Sequence, residues 1–539
     1  MDRKQRIAVV VGVCAAVATV VGFGAYAFND DEDGGGSGSA AEGEDSEGEG
    51  PLSAEEVTAT AGAFLDAWAA GDTAAASRLT DEPDAARLGL ATLTENDAVT
   101  ALATTAAEPL DASVPFDVAA EITHEEEIHA FAYESLLTVV RDEDGTPVVD
   151  WAPAVLHPAL AEGQTLQIGP GGELPPIEVL ANDGEVLTAD EFPGLVPLLD
   201  ELRERYAEAS GSDPGGAVRI TDAEGEPVEV LLELSEPVAG TVPTTLDRTI
   251  QQAAEAAVAE TERGSVVAVR PSTGEILAVA NARSDGPDIA LEGSYAPGST
   301  FKIVTASLLM EQGLADPGAA HPCPQYFEHG GWEFQNLNEF EIENGTFTDS
   351  FAASCNTAFI SQAPELADED LGDHARKYFG LGLEWQVGAT SMDGRIPPES
   401  QAQMAAQLIG QGAVRMNPLT MASVSATVKN GSFLQPYLVP TDFAERQLVG
   451  TEGPLPAAEQ LRGLMRHTAT AGTAAEAMSG LGGDIGAKTG SAEVDGQEKP
   501  NAWFTGYRDD LAVAAVVPDS GHGGEFAGPV VADVLRAAP

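Results

Sequence analysis

The chain has only six lysines in 539 residues, and two of them stand in patterns that could do chemistry. Lys302 closes Ser299-Thr300-Phe301-Lys302, the sole S-x-x-K, and Lys488 opens Lys488-Thr489-Gly490, the sole K-T-G. Between them lies Ser354-Cys355-Asn356, the sole S-x-N. Pro297-Gly298 precedes a run that predicts a helix from Thr300 to Gln312, so Ser299 falls at a helix N-terminus. Free N–H groups and the helix dipole favour negative charge there. Lys302 lies one turn along on the same face. An ammonium is no base, but burial and a second cation such as Lys488 lower a lysine pKa enough to leave some neutral amine. The pattern is that of a serine nucleophile with an amine placed to act as its base.

The other residues suit that chemistry. Ser354 and Asn356 would line the opposite wall, one relaying a proton to the leaving amine and the other gripping a peptide backbone. Lys488 and Thr489 offer a charge and a hydroxyl to a terminal carboxylate. Gly490 lacks a side chain, so a substrate strand could lie against that sheet edge. The backbone N–H groups of Ser299 and Ser491 would hold the oxyanion. The plain alternative is a helix cap, a solvated lysine, a turn and a strand end. Against it, Lys302 sits among Phe301, Ile303, Val304, Leu308 and Leu309, and a buried lysine is costly unless employed. The eight histidines and three cysteines show no metal-ligand spacing, so neither a metal nor a cofactor is expected.

The elements that must position these residues occupy 244–539. Leu246 to Glu262 reads as a helix, and Ser265–Arg270 with Glu275–Ala280 as a hairpin. Helices fill the middle, and Ile485–Val494, Trp503–Tyr507 and Leu511–Val517 read as strands before a last helix ending near Ala537. Strands at both ends with helices between them predict one α/β sandwich closed by its terminal parts.

Upstream, residues 53–157 read as a small α+β domain. Ser53 and Glu56 form a capping box ahead of Val57, Ala61, Phe64, Leu65 and Trp68 at helical spacing. His129 to Arg141 and Pro147 to Trp151 read as strands about a turn at Asp142–Gly145. Residues 158–243, rich in Gly and Pro, read as a pedestal or linker domain. They carry short strands at Ala217–Ile220 and Val228–Leu232 and a polar helix near Glu201–Ala209. Residues 29–52 form an acidic flexible linker.

At the N-terminus, Arg3, Lys4 and Arg6 precede an uncharged apolar run, Ile7 to Phe28. As a helix it would span about 33 Å, enough for a bilayer core of about 30 Å. With Asp30 to Asp33 beyond it, the positive-inside rule makes residues 1–28 a cytoplasmic tail and single transmembrane anchor. The rest of the chain is then outside the cytoplasm, at the cell membrane. Ala25-Tyr26-Ala27 leaves cleavage open as the alternative, and export follows either way. Outside that run, Cys323 and Cys355 are equally readable as a disulfide or as two free thiols.

Ser-Thr-Phe-Lys, Ser-Cys-Asn and Lys-Thr-Gly-Ser-Ala-Glu (488–493) together resemble the transpeptidase domain of penicillin-binding proteins, a family related to the serine β-lactamases. Ile409-Gly-Gln-Gly412, Gly472-Thr-Ala474 and Ala502-Trp-Phe504 extend the resemblance over about 244–539. Trp151…His157-Pro158 resembles the end of the NTF2-like domain (MecA-type) that precedes some of these proteins. The resemblance implies a monofunctional class B enzyme that acylates its serine with D-Ala-D-Ala stem peptides, cross-links the cell wall and is captured by β-lactams. It also implies a membrane glycan polymerase as partner. Asn501 stands where many relatives carry His, and the R-G-x-I-x-D-R pattern usual in the pedestal is absent. A D,D-carboxypeptidase, a β-lactam-binding sensor and a non-catalytic scaffold remain as alternatives.

Charge narrows the partners: 26 Lys+Arg against 87 Asp+Glu leave a net of −61. Such a surface repels nucleic acid and anionic lipid headgroups. It also repels itself, so stability is expected to rise with moderate salt as the repulsion is screened. Melting temperatures that stay flat from low to high salt would contradict this.

Overall fold

The structure is a computed structural model, and it describes residues 50–283 and 285–538. The apolar run Ile7 to Phe28 and nearly all of the acidic spacer lie outside the described residues. Among the described residues, no helix is long and apolar enough to cross a membrane. The backbone gathers into two compact units, 50–175 with 212–239, and 176–211 with 240–538.

The first unit begins at the expected capping box. Ser53 Oγ accepts from the Glu56 N–H at 3.3 Å, and the Ser53 N–H donates to the Glu56 carboxylate at 2.9 Å. The helix Ala54–Ala69 follows and buries Val57, Ala61, Phe64, Leu65 and Trp68, the apolar stripe read from the sequence. That stripe packs on an antiparallel sheet ordered Val99–Ala106, Ser113–His124, Glu127–Arg141, Pro147–Val149. The first two strands were not anticipated. Ser113–His124 does carry a period-two signal, with Val114, Phe116, Val118, Ala120 and Ile122 all buried. Val99–Ala106 is built of Ala, Thr, Val and Leu and has no such alternation.

The stretch 158–243, expected to be one pedestal-like domain, is instead divided between the units. Thr165–Pro170, Gly216–Thr221 and Pro227–Ser235 form a three-stranded sheet whose Leu166, Val218, Ile220 and Leu234 join the core of the first unit. Residues 176–211 go to the second unit. There Glu178–Leu180 pairs in parallel with Thr241–Pro243, and the helix Val196–Arg205 buries Leu198, Leu199 and Leu202. The segment is divided because its apolar residues belong to two separate cores.

The second unit is built on a five-stranded antiparallel sheet ordered Ile276–Asn281, Ser265–Val269, Leu511–Val517, Asn501–Arg508, Ile485–Ala492. As expected, its strands come from both ends of the segment. Both faces are covered, which accounts for strands such as Leu511–Val517 that are apolar and buried throughout. Val266, Ala268, Val513 and Ala515 pack with the helices Arg248–Ala259 and Gly523–Ala537. Val267, Val269, Ala512 and Ala514 pack with the helices Lys302–Glu311 and Pro418–Asn430. The result is a helix–sheet–helix sandwich, with Ile485–Ala492 as an edge strand.

The cap of the first helix gives a direct test of the first unit. Ser53→Ala is expected to lower its stability by about 1 kcal/mol, read as a fall in the thermal midpoint.

Candidate active site

Ser299 sits in a 3-10 turn, Gly298–Phe301, that runs directly into the helix Lys302–Glu311. The turn is wedged against the edge strand. A Cβ added to Gly490 would lie 2.8 Å from Pro297 O and 3.0 Å from Thr300 N. Added to Gly298, whose φ is +54°, it would lie 2.5 Å from Ser491 O. Close packing of the turn on the strand is thus one reason for glycine at 490. The space left by its missing side chain is taken by the nucleophile's own turn.

Lys302 points from the first turn of its helix into the interior and is fully buried. Its Nζ donates to Ser354 O at 2.8 Å and to Asn356 Oδ1 at 2.7 Å. Lys488, also fully buried, donates to Ser354 Oγ at 2.9 Å and to Thr489 O at 3.0 Å. One serine thus contacts both lysines, its carbonyl meeting the first and its hydroxyl the second. The Ser299 hydroxyl is half-buried and has no hydrogen-bond partner among the described residues. A neutral Lys302 amine has two N–H groups and one lone pair. The two acceptors use the N–H groups and leave the lone pair uncommitted.

Electrostatics favours that neutral form. Burial, with the Lys488 charge adding to it, holds Lys302 well below the ordinary lysine value. Burial also brings Lys488 down to about 7.

Along the edge strand, Thr489 Oγ1 lies 2.6 Å from Thr473 Oγ1. Ser491 Oγ lies 3.4 Å from His522 Nδ1 and accepts from the Gly523 N–H at 3.4 Å. Asn501 is buried and accepts from the Asp519 N–H at 3.0 Å. Ser354 holds a left-handed backbone, φ +60°, unusual for a residue with a side chain. Strain of that kind costs on the order of 1–3 kcal/mol and persists only where the surroundings enforce it. Part of the enforcement is covalent, since Cys355 is joined to Cys323 in a disulfide, which decides the alternative left open by the spacing.

All eight residues singled out by the three motifs therefore converge on one end of the edge strand. Three further residues escaped the sequence reading. Thr473 lies within Gly472-Thr-Ala474 but drew no role, and Asn336 and His522 belong to no motif. Asn336 is buried and accepts from the Asn356 and Thr357 N–H groups at 2.7 and 3.1 Å.

Residues 264–536 match the family described as penicillin binding protein transpeptidase domain. Residues 56–164 match the NTF2-like N-terminal transpeptidase domain. The chain belongs to the penicillin-binding protein transpeptidase family. It is 29% identical over 369 residues to the peptidoglycan D,D-transpeptidase PbpA of Mycolicibacterium smegmatis, covering 56% of this chain and 73% of that protein. It is 26% identical over 308 residues to penicillin-binding protein 3 of Bacillus subtilis, covering 48% of this chain and 44% of that one. The fold is shared with the crystal structure of Pseudomonas aeruginosa PBP2, at a TM-score of 0.54 and 20% identity, covering 69% of this chain and 96% of that one.

The buried lysines tie stability to pH. Between about 7 and 10.5 the unfolded chain binds a proton on Lys488 that the folded chain has released. Stability therefore rises with pH through that window, and the contribution is constant below it. Lys488→Met is expected to reduce the rise in a series of melting temperatures against pH. Equal slopes in the variant and the native protein would contradict the assignment.

Proposed function

We propose that the protein is a peptidoglycan D,D-transpeptidase in which Ser299 is the nucleophile and Lys302 its base. The observation that carries this reading is the pair of buried lysines bridged by Ser354, with the Ser299 turn packed on the strand that carries Lys488 and the Ser299 hydroxyl without a hydrogen-bond partner among the described residues. Ser299 Oγ attacks the penultimate D-Ala carbonyl of a stem peptide, and its proton passes to the neutral Lys302 amine. The backbone N–H groups of Ser299 and Ser491 take the developing oxyanion. The C–N bond then breaks, and the leaving D-Ala amine gains a proton by way of Ser354 Oγ, which Lys488 contacts. The amine of a neighbouring stem peptide then attacks the ester carbonyl and the C–O bond to Ser299 breaks. Lys302 returns its proton to Ser299 Oγ, the proton shed by the amine passes by Ser354 Oγ back to Lys488, and the cross-link is complete.

Asn356 would grip the peptide backbone, and Thr489 with Lys488 would receive the terminal carboxylate. Ser491 and Gly490 shape the strand edge beside them. A β-lactam enters the same path, but its leaving nitrogen stays tethered through the opened ring, so the acyl-enzyme persists.

The reading extends to where the protein works. The basic residues Arg3, Lys4 and Arg6 ahead of the apolar run Ile7 to Phe28 support a single membrane anchor with the catalytic unit outside the cytoplasm. The acidic spacer after it supports a flexible tether. A membrane glycan polymerase suits such an enzyme as a partner, because it supplies the strands to be joined.

Incubation with a fluorescent penicillin, followed by a denaturing gel, tests the nucleophile. A covalent band is expected from the native protein and none from Ser299→Ala. Equal labelling of both would place the acylated residue elsewhere.

A further inference from the structure

We propose that Asn336 is a positioning residue for acyl transfer: its side-chain carbonyl fixes the turn that carries Ser354 and Asn356, and through that turn the place of the Lys302 amine. The inference rests on the acyl-transfer reading above and adds to it a residue outside the three motifs.

Asn336 directly follows a hairpin, Tyr326–His329 with Trp332–Gln335, and is itself buried. Its amide reaches three separate stretches of backbone. The carbonyl accepts from the Asn356 and Thr357 N–H groups at 2.7 and 3.1 Å. The amino group donates to Pro324 O at 2.9 Å and Phe340 O at 2.8 Å. A side-chain amide has two donors and two lone pairs, so backbone partners alone can use its full capacity.

What the carbonyl holds is the part of the site most in need of holding. Ser354 pays for its left-handed backbone in strain, and the disulfide pins only Cys355. Asn336 pins the next two residues. Its neighbour Gln335 sets the side chain of Asn356, because Gln335 O accepts from Asn356 Nδ2 at 3.0 Å. With the amino end of that amide occupied, Oδ1 is the end presented to Lys302, at 2.7 Å. Residues 335 and 336 thus decide both where the turn sits and which way the Asn356 amide faces. Lys302 takes both of its acceptors, Ser354 O and Asn356 Oδ1, from this turn. Misplacing a catalytic group by about 1 Å can cost on the order of 10²-fold in rate.

Two variants separate positioning from simple support. Asn336→Asp keeps an acceptor for the two N–H groups, whereas Asn336→Leu removes it. Both lose the donations to Pro324 and Phe340, so both are expected to melt at lower temperature. The readout is the first-order rate constant for acylation at saturating fluorescent penicillin, with the Kd of the noncovalent complex measured alongside. Asp is expected to stay within about threefold of native and Leu to fall at least about tenfold, with Kd changing less than the rate. An Asp–Leu gap under threefold would overturn the proposal, because a supporting role predicts that the two fall together with their melting temperatures.

Should the Leu variant fail to fold, Asn336→Ser replaces it. Its hydroxyl is too short to serve both N–H groups, and a rate equal to that of Asp would overturn the proposal in the same way. The native protein is the control for the underlying reading. No label on it would overturn both inferences, whereas normal native labelling without the Asp–Leu gap removes Asn336 alone.

Discussion

Two lysine side chains shut away from water, both within hydrogen-bonding distance of one serine, are the constraint on which the rest of this structure depends. Two adjacent ammonium groups in a dry interior would repel each other and lack solvation, so at least one must give up its proton. Burial therefore favours, more than exposure would, a neutral Lys302 amine able to take a proton. The arrangement works only if the surrounding polar groups are matched to it. Ser354 O, Ser354 Oγ, Asn356 Oδ1 and Thr489 O provide four acceptors for the two amines.

Holding those acceptors in place sets demands on distant parts of the chain. The edge strand that carries Lys488 must lie against the turn that carries Ser299, and Gly298 and Gly490 allow that approach because a Cβ at either would collide with the opposing backbone. The sheet behind the strand is buried on both faces, and Ile485–Ala492 is one of its two edge strands. On the opposite wall, the strained Ser354 backbone is bound covalently through Cys355 and by hydrogen bonds through Asn336. The catalytic unit thus meets the strain at the site with two restraints that touch each other, since the Asn336 amide also lies 3.2 Å from Cys323 Sγ and 3.4 Å from Cys355 Sγ.

Much of the fold was legible because local patterns coincided with burial. The first helix showed its cap and its apolar stripe, and the terminal strands of the second unit showed their long apolar runs. Legibility failed where that coincidence was missing. Val99–Ala106 is made of Ala, Thr, Val and Leu, and its partial burial shows no alternation that would mark its period. The stretch 158–243 is rich in Gly and Pro and reads as one segment, yet its apolar residues feed two different cores. No local window distinguishes those destinations.

The sequence by itself determined the reacting groups and their local setting: a serine one helical turn from a lysine in an apolar run, a second lysine ahead of a glycine in a strand, and a Ser-x-Asn between them. Residue type and short spacing suffice for that, since helix and strand periods place neighbours predictably. Tertiary structure alone decided that one serine contacts both lysines, that Gly490 makes room for the nucleophile's own turn, that the two cysteines are joined, and that Asn336 secures the wall. Each of these is a contact between residues tens to hundreds of positions apart. Its geometry depends on how whole elements pack, to within an ångström, and no periodicity in the chain records it.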